Sequence, residues 1–235
     1  MKLLAVETAT EACSAALYID GAITERFELT RNEHTRLILP MIDSLMSDAG
    51  LKPQQLDALA FGRGPGSFTG VRIATGVIQG IACGVDLPVV PVSTLAAIAQ
   101  DFFDNNSKTQ AEHANCNVAF TAMDARMGEI FWGVYQRDEQ GFAELIGKES
   151  VTPATDVEFP DRSGMGVGSG WGVYSQELMI RLAGRVSCYE SNNLPRASVI
   201  ARLGARGFKQ GLAVPVEEAM PVYLRDKVAK KESER

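Results

Sequence analysis

Hydrophobic and polar residues alternate, or the apolar ones briefly run together, in three short segments that open the chain: Leu3 to Glu7, Cys13 to Ile19 and Ala22 to Leu29. A period of two marks strands, and Asp20-Gly21 between the last two is a strong short hairpin signal, so an antiparallel meander is predicted. The period then lengthens. From His34 to Ala49 the apolar Leu37, Ile38, Met41, Ile42, Leu45 and Met46 recur at helical spacing, with Arg36, Asp43, Ser44, Ser47 and Asp48 elsewhere on the wheel. Gly50 stops this helix and Pro40 should bend it. Asp57 to Phe61 reads as a buried strand, Gly70 to Gly84 as an amphipathic helix and Leu87 to Val92 as a further buried strand. After a polar stretch the pattern partly repeats. Val118 to Met123, Glu129 to Tyr135 and Phe142 to Ser150 read as strands, Ser163 to Gly170 is glycine-rich, and Trp171 to Ala183 is amphipathic. Pro195 to Lys209 is again helical, with Val199, Ile200, Leu203 and Phe208 on one side.

Three strands in series followed by alternating helices and strands, twice over, describe an α/β protein with mixed sheets and helices on their faces. That is the architecture of the actin-like, sugar-kinase-like (ASKHA) fold with its two related subdomains. The polar run from Asp104 to Asn115 marks the boundary. The N-terminal subdomain is expected to span 1–103 and to be completed by the helix at 195–210, the smaller C-terminal subdomain 104–194, and a flexible tail 223–235.

At 235 residues the chain can form one large domain or two small ones. With 46% apolar and 22% charged residues it reads as an ordinary soluble protein. No apolar run approaches the roughly 18 residues of a membrane span. The start, Met-Lys-Leu-Leu-Ala-Val-Glu, meets an acid too early for a signal peptide, so a cytoplasmic protein without membrane contact is expected. Cys13, Cys83, Cys116 and Cys188 are far apart without a CxxC pair, which suggests buried reduced thiols rather than zinc ligands. His34 and His113 alone leave few ways to build a histidine-rich metal site or a histidine triad. A net charge of -6 argues against a protein that grips nucleic acid unaided. The basic residues after Tyr223 read as a solvated terminus.

Between Asp57 and Gly84 a strand runs through Gly62, Gly64, Gly66 and Gly70 into a helix. Such a loop points backbone N–H groups and a helix dipole at one spot, as phosphate sites do. The Walker lysine is absent, however, and Ser67 or Thr69 stands where a dinucleotide motif has its third glycine. Two readings stay open. Glu7, Gly64, Gly66, Ser67 and Thr69 form a weak nucleotide site, with Glu7 as general base or magnesium ligand. Alternatively, the glycines only let the chain turn, Ser67 or Thr69 caps the helix, and Glu7 is a strand-end carboxylate binding loop N–H groups. Asp124 and Glu129 flank a tight turn, Ala125 to Gly128, where such residues serve the turn itself. Gly76, Gly80 and Gly84 fall in one row, each at about 1 kcal/mol against helix formation relative to Ala, and a row of this kind lets another helix approach closely. The neighbour is either the Leu37 to Met46 helix of the same chain or a helix of a second one.

The string Gly62-Arg63-Gly64-Pro65-Gly66-Ser67-Phe68-Thr69-Gly70-Val71-Arg72, together with Asp124-Ala125-Arg126-Met127-Gly128-Glu129 and Pro221-Val222-Tyr223-Leu224-Arg225, resembles the bacterial TsaB (YeaZ) family. Glu7 to Ser14 and the run from Glu33-His34-Thr35 to Leu39-Pro40-Met41 are similar to it too. The resemblance implies a noncatalytic partner of the related subunit TsaD in making threonylcarbamoyladenosine beside the tRNA anticodon. In the catalytic relatives a helix carries two histidines four apart on one metal. The matching positions here are Thr94 and Ile98, which cannot replace imidazole, so neither metal nor other cofactor is expected. The resemblance further implies a TsaE-like ATPase subunit and tRNA as partners only through the complex, and a homodimer when the chain is alone. Leu37, Met41, Ile42, Leu45, Gly76, Val77 and Gly80 are the candidate partner interface. A free-standing ATP-dependent phosphotransferase or ATPase using the glycine loop, and a metalloprotease, are the competing classes.

Overall fold

The computed structural model describes residues 1–106 and 116–225; His113, most of the polar boundary stretch and the end of the basic tail lie outside the described residues. The opening meander forms as the alternation predicts: β1 (Lys2–Glu7), β2 (Ala12–Ile19) and β3 (Ala22–Leu29) are antiparallel neighbours, with Leu4 opposite Leu17. Asp20 and Gly21 both take left-handed φ, 49° and 101°, which a two-residue turn matching strand twist demands. Next come α1 (His34–Asp48), β4 (Ala58–Gly62), α2 (Phe68–Val85) and β5 (Val89–Val92). β4 lies parallel to β1 and β5 parallel to β4, giving the order β3-β2-β1-β4-β5. α1 stays helical through Pro40, which is exposed, so the Arg36 carbonyl that Pro40 cannot bond sits on the exposed side of the helix.

Then follow α3 (Thr94–Asn106), β6 (Val118–Arg126), β7 (Glu129–Arg137), β8 (Ala143–Pro153), β9 (Gly164–Val167), α4 (Ser169–Arg181), β10 (Val186–Glu190) and α5 (Ala197–Lys209). The second sheet has the order β8-β7-β6-β9-β10, which repeats that of the first strand for strand. The glycine-rich segment thus contains β9, and β10 is a strand the hydrophobic pattern did not single out. A Cβ on Gly166 of β9 would fall within 2.6 Å of the Trp171 ring and one on Gly164 2.4 Å from the Val118 carbonyl, so close approach on both sides keeps this strand glycine-rich.

One face of the first sheet, with Leu4, Val6, Leu17, Leu59 and Phe61, packs on α1 and α2. Its other face carries the smaller Ala5, Ala16, Ala58 and Ala60 and receives α5, so closely that a Cβ on Gly204 would sit 2.6 Å from that of Ala60. The second sheet holds α4 against one face and α3 against the other, where Leu95, Ile98, Phe102 and Phe103 meet Ala119, Met123 and Tyr135. Each half therefore sends its last helix across the molecule: α3, leaving the first sheet, covers the second, and α5, leaving the second, covers the first.

Candidate functional site

Glu7 ends β1 with no solvent exposure, directly beneath Gly62, whose missing side chain leaves the space its carboxylate fills. Its Oε1 accepts the Ala9 N–H at 2.6 Å. The Thr94 hydroxyl faces the same group, yet neither Glu7 Oε2 nor Thr94 Oγ1 has a partner at standard hydrogen-bond distance. Burial pushes the Glu7 carboxyl up to about 7, against the opposing pull of the Ala9 and Thr8 N–H groups and of Thr94. Residues Thr8 and Ala9 then press on the glycine loop. The Ser67 N–H donates to the Ala9 carbonyl at 2.7 Å, and the Thr8 hydroxyl donates to the Gly70 carbonyl at 2.7 Å. A Cβ on Gly66 would meet Ala9 at 2.6 Å, one on Gly70 would overlap the Thr8 carbonyl, and Gly64 is left-handed at φ 97°. Ser67 caps α2, its Oγ accepting the Gly70 N–H at 3.4 Å, and Thr69 is exposed on the first turn.

A polar cluster joins the two sheets nearby. Glu149 of β8 accepts hydrogen bonds from the Ser93 hydroxyl and the Tyr135 phenol, and Arg63 Nη2 lies 3.8 Å from its other oxygen. Burial, then the facing Glu149 carboxylate, hold the Tyr135 phenol well above its ordinary value. Thr94 is fully buried and Ile98 packs in the core under the second sheet. Among the described residues no three His, Cys, Asp or Glu side chains converge. His34 is enclosed with its Nε2 2.8 Å from the Thr10 carbonyl. Asp124 serves its turn: Oδ1 accepts the Arg126 N–H at 2.8 Å, while Arg126, Met127 and Gly128 are successively left-handed. Glu129 pairs with Arg225 at 2.6 Å. Of the cysteines Cys13 alone is buried and Cys83 is exposed, which corrects the expectation of four buried thiols.

On the outer layer the candidate interface residues divide. Ile42 and Leu45, 8% and 1% exposed, point into the core beneath the first sheet, so burial removes them from the set that meets a partner. Leu37, Met41 and Val77 are half-buried at its rim. Gly76, Gly80 and Gly84 are exposed and have open space where a side chain would stand; the row does not pack on α1. By length and composition α2 is apolar enough to cross a membrane, contrary to the sequence expectation, but its Val71, Ala74, Ile78 and Ala82 are buried in the molecule. Only 33% of its residues are buried, so this apolar helix keeps a bare outer face.

The family model of TsaD, described as tRNA N6-adenosine threonylcarbamoyltransferase, matches residues 27–168. The chain is 41% identical to the tRNA threonylcarbamoyladenosine biosynthesis protein TsaB of Escherichia coli, over 97% of this chain and 96% of that protein. It belongs to the TsaB (YeaZ) family. The TsaB protein of Haemophilus influenzae is 38% identical over 97% of this chain and 95% of its own length. YeaZ from Pseudomonas aeruginosa, a solved structure, superposes with a TM-score of 0.84 at 39% identity, covering 95% of this chain and 99% of that one. The two five-stranded mixed sheets are thus the actin-like fold in its TsaB form. Within that form, sequence reasoning passed over the Ser93, Tyr135 and Glu149 cluster. Its one legible signal was Glu149, an acid set among strand residues; that Ser93 and Tyr135 reach it from other elements follows only from the crossing of α3.

Proposed function

We propose that this chain is a noncatalytic, cytoplasmic scaffold subunit for threonylcarbamoyl transfer to tRNA, pairing with a TsaD-like catalytic subunit through the outer face of α1 and α2. The observation that carries this reading is the bare glycine row. Gly76, Gly80 and Gly84 weaken α2 and gain nothing inside the molecule, and a second helix laid along them supplies the offsetting contact. Val77 follows Gly76 on α2, and Leu37 and Met41 of α1 are likewise half-buried at the rim of the same core. Because the TsaD family model covers residues 27–168, partner and chain share a fold, and one pseudo-symmetric surface serves both the heterodimer and a homodimer of the chain alone. The interior supports a role without chemistry: Thr94 and Ile98 stand where the catalytic relatives carry histidines, and the glycine loop is packed against Thr8 and Ala9. A TsaE-like ATPase and tRNA join only through the complex, and the chain requires no cofactor of its own.

Reconstitution tests this. Purified TsaD, the ATPase subunit, threonylcarbamoyl-adenylate and substrate tRNA are combined with and without this chain. Modified nucleoside should form only when the chain is present, and the chain with tRNA and adenylate alone should form none. Equal yield without it, or modification by the chain alone, overturns the reading.

A further inference from the structure

Four of the large apolar side chains left in solvent come from three separate elements and lie on or beside the C-terminal segment, where Phe68 meets Tyr223 and Met127 reaches Arg225. Phe68 of α2 is 59% exposed, Met127 of the β6–β7 turn 68%, and Met220 and Tyr223 of the C-terminal strap 58% and 44%. The strap runs from Ala219 to Arg225 and is tied down along its length. Gln79 donates to the Ala219 carbonyl at 2.9 Å, the Val222 N–H to the Arg63 carbonyl at 2.8 Å, and Arg225 to Glu129 and to the Ala125 carbonyl. It thereby spans from the first half of the molecule to the second. At its centre the Phe68 and Tyr223 rings are 5.8 Å apart, and the Arg72 guanidinium lies 3.3 Å from the centroid of the first and 4.9 Å from that of the second.

We propose that Phe68, Arg72 and Tyr223 are a specificity seat at the end of the α2 docking face, receiving from the partner subunit an apolar side chain flanked by a carboxylate. This rests on the reading that a second subunit seats on α2. Phe68, Arg72, Gly76 and Gly80 follow one another at four-residue steps, so the seat continues the glycine row along one face of the helix. Its composition, two aromatic rings and an arginine, is that of interface anchors rather than of ordinary surface. Charge selects the occupant. Arg225 is engaged by Glu129 and Arg126 by Asp124, whereas among the described residues no carboxylate pairs with Arg72. The guanidinium lies against the rings and donates to the Phe68 carbonyl at 3.2 Å, and covering its charge in an interface demands an anion on the other side. A protein carboxylate meets that demand. RNA binding draws on several phosphate contacts, which one arginine without a carboxylate partner, in a chain of net charge -6, does not supply.

The test is calorimetric titration of the full chain with purified TsaD, using Arg72→Glu, Phe68→Ser and Gly76→Arg, each checked for an unchanged far-UV spectrum. Arg72→Glu and Phe68→Ser should each weaken the complex at least tenfold, and Arg72→Ala should flatten the dependence of affinity on salt. If both seat variants bind within twofold of wild type while Gly76→Arg abolishes binding, the seat is wrong and the glycine row stands. If Gly76→Arg also binds normally, the docking face itself fails. Loss of tRNA binding by the assembled complex in Arg72→Glu, with subunit affinity intact, assigns the seat to RNA and overturns the proposal.

Discussion

Glu7 shows most clearly how a single residue is held by its surroundings. Its carboxyl titrates near 7 because burial outweighs the N–H groups that favour the charged form. The folded protein therefore keeps this proton at a pH where the unfolded chain has released it. Stability from this group is fully present below about 4.5 and is lost as pH rises through 7, amounting to about 3 kcal/mol by linkage. Glu7→Gln, which keeps an oxygen for the Ala9 N–H, should remove that loss. Urea midpoints of wild type and variant between pH 5 and 8 check it, and parallel pH dependences would contradict it. Gly62→Ala places a methyl group where the carboxylate lies and should destabilise by about 2–3 kcal/mol. Shortening Glu7 to Ala in the same chain should relieve most of that penalty, a coupling that a double-mutant cycle reads directly.

At the scale of elements, the proposed docking face makes α2 a place where stability trades against association. Ala at Gly76 or Gly80 meets open space, so each substitution should raise stability by about 0.5–1 kcal/mol while weakening partner binding. Thermal melts and titrations of the same variants separate the two effects; a stabilised variant with undiminished affinity would argue against close helix approach at that position. The spacing of these glycines was plain in the sequence, but whether they faced α1 or solvent was not, because periodicity defines a stripe without saying what lies opposite it. The same limit separated Met41 from Ile42: one position around the helix decides rim or core, and helical period alone does not resolve it. The meander, α1, α2 and α5 were legible from alternation, spacing and the Asp20-Gly21 turn. β9 was not, since a glycine-rich segment offers no side-chain period to read; a Cβ on Gly164 would strike the Val118 carbonyl and one on Gly166 the Trp171 ring, which explains why the strand carries so little side chain.

For the whole molecule, the reciprocal crossing of α3 and α5 makes each sheet depend on a helix from the other half. Trp132 and Trp171 both belong to the core of the second half, whereas far-UV dichroism reports both halves. The two signals should therefore unfold at one midpoint, and separated transitions would show that the halves are independent. A chain ending at residue 193 loses α5, bares Leu3, Ala5, Ala60 and Val90, and should fail to give protease-resistant material even for its N-terminal half. The proposed role is docking through the outer face of α2, and sedimentation velocity of an equimolar mixture with purified TsaD tests it most directly. The wild-type chain should run with TsaD as a single heterodimeric boundary, and Gly76→Arg, with an unchanged far-UV spectrum, should leave two separate species. Co-sedimentation of the Gly76→Arg chain at wild-type strength would contradict the account.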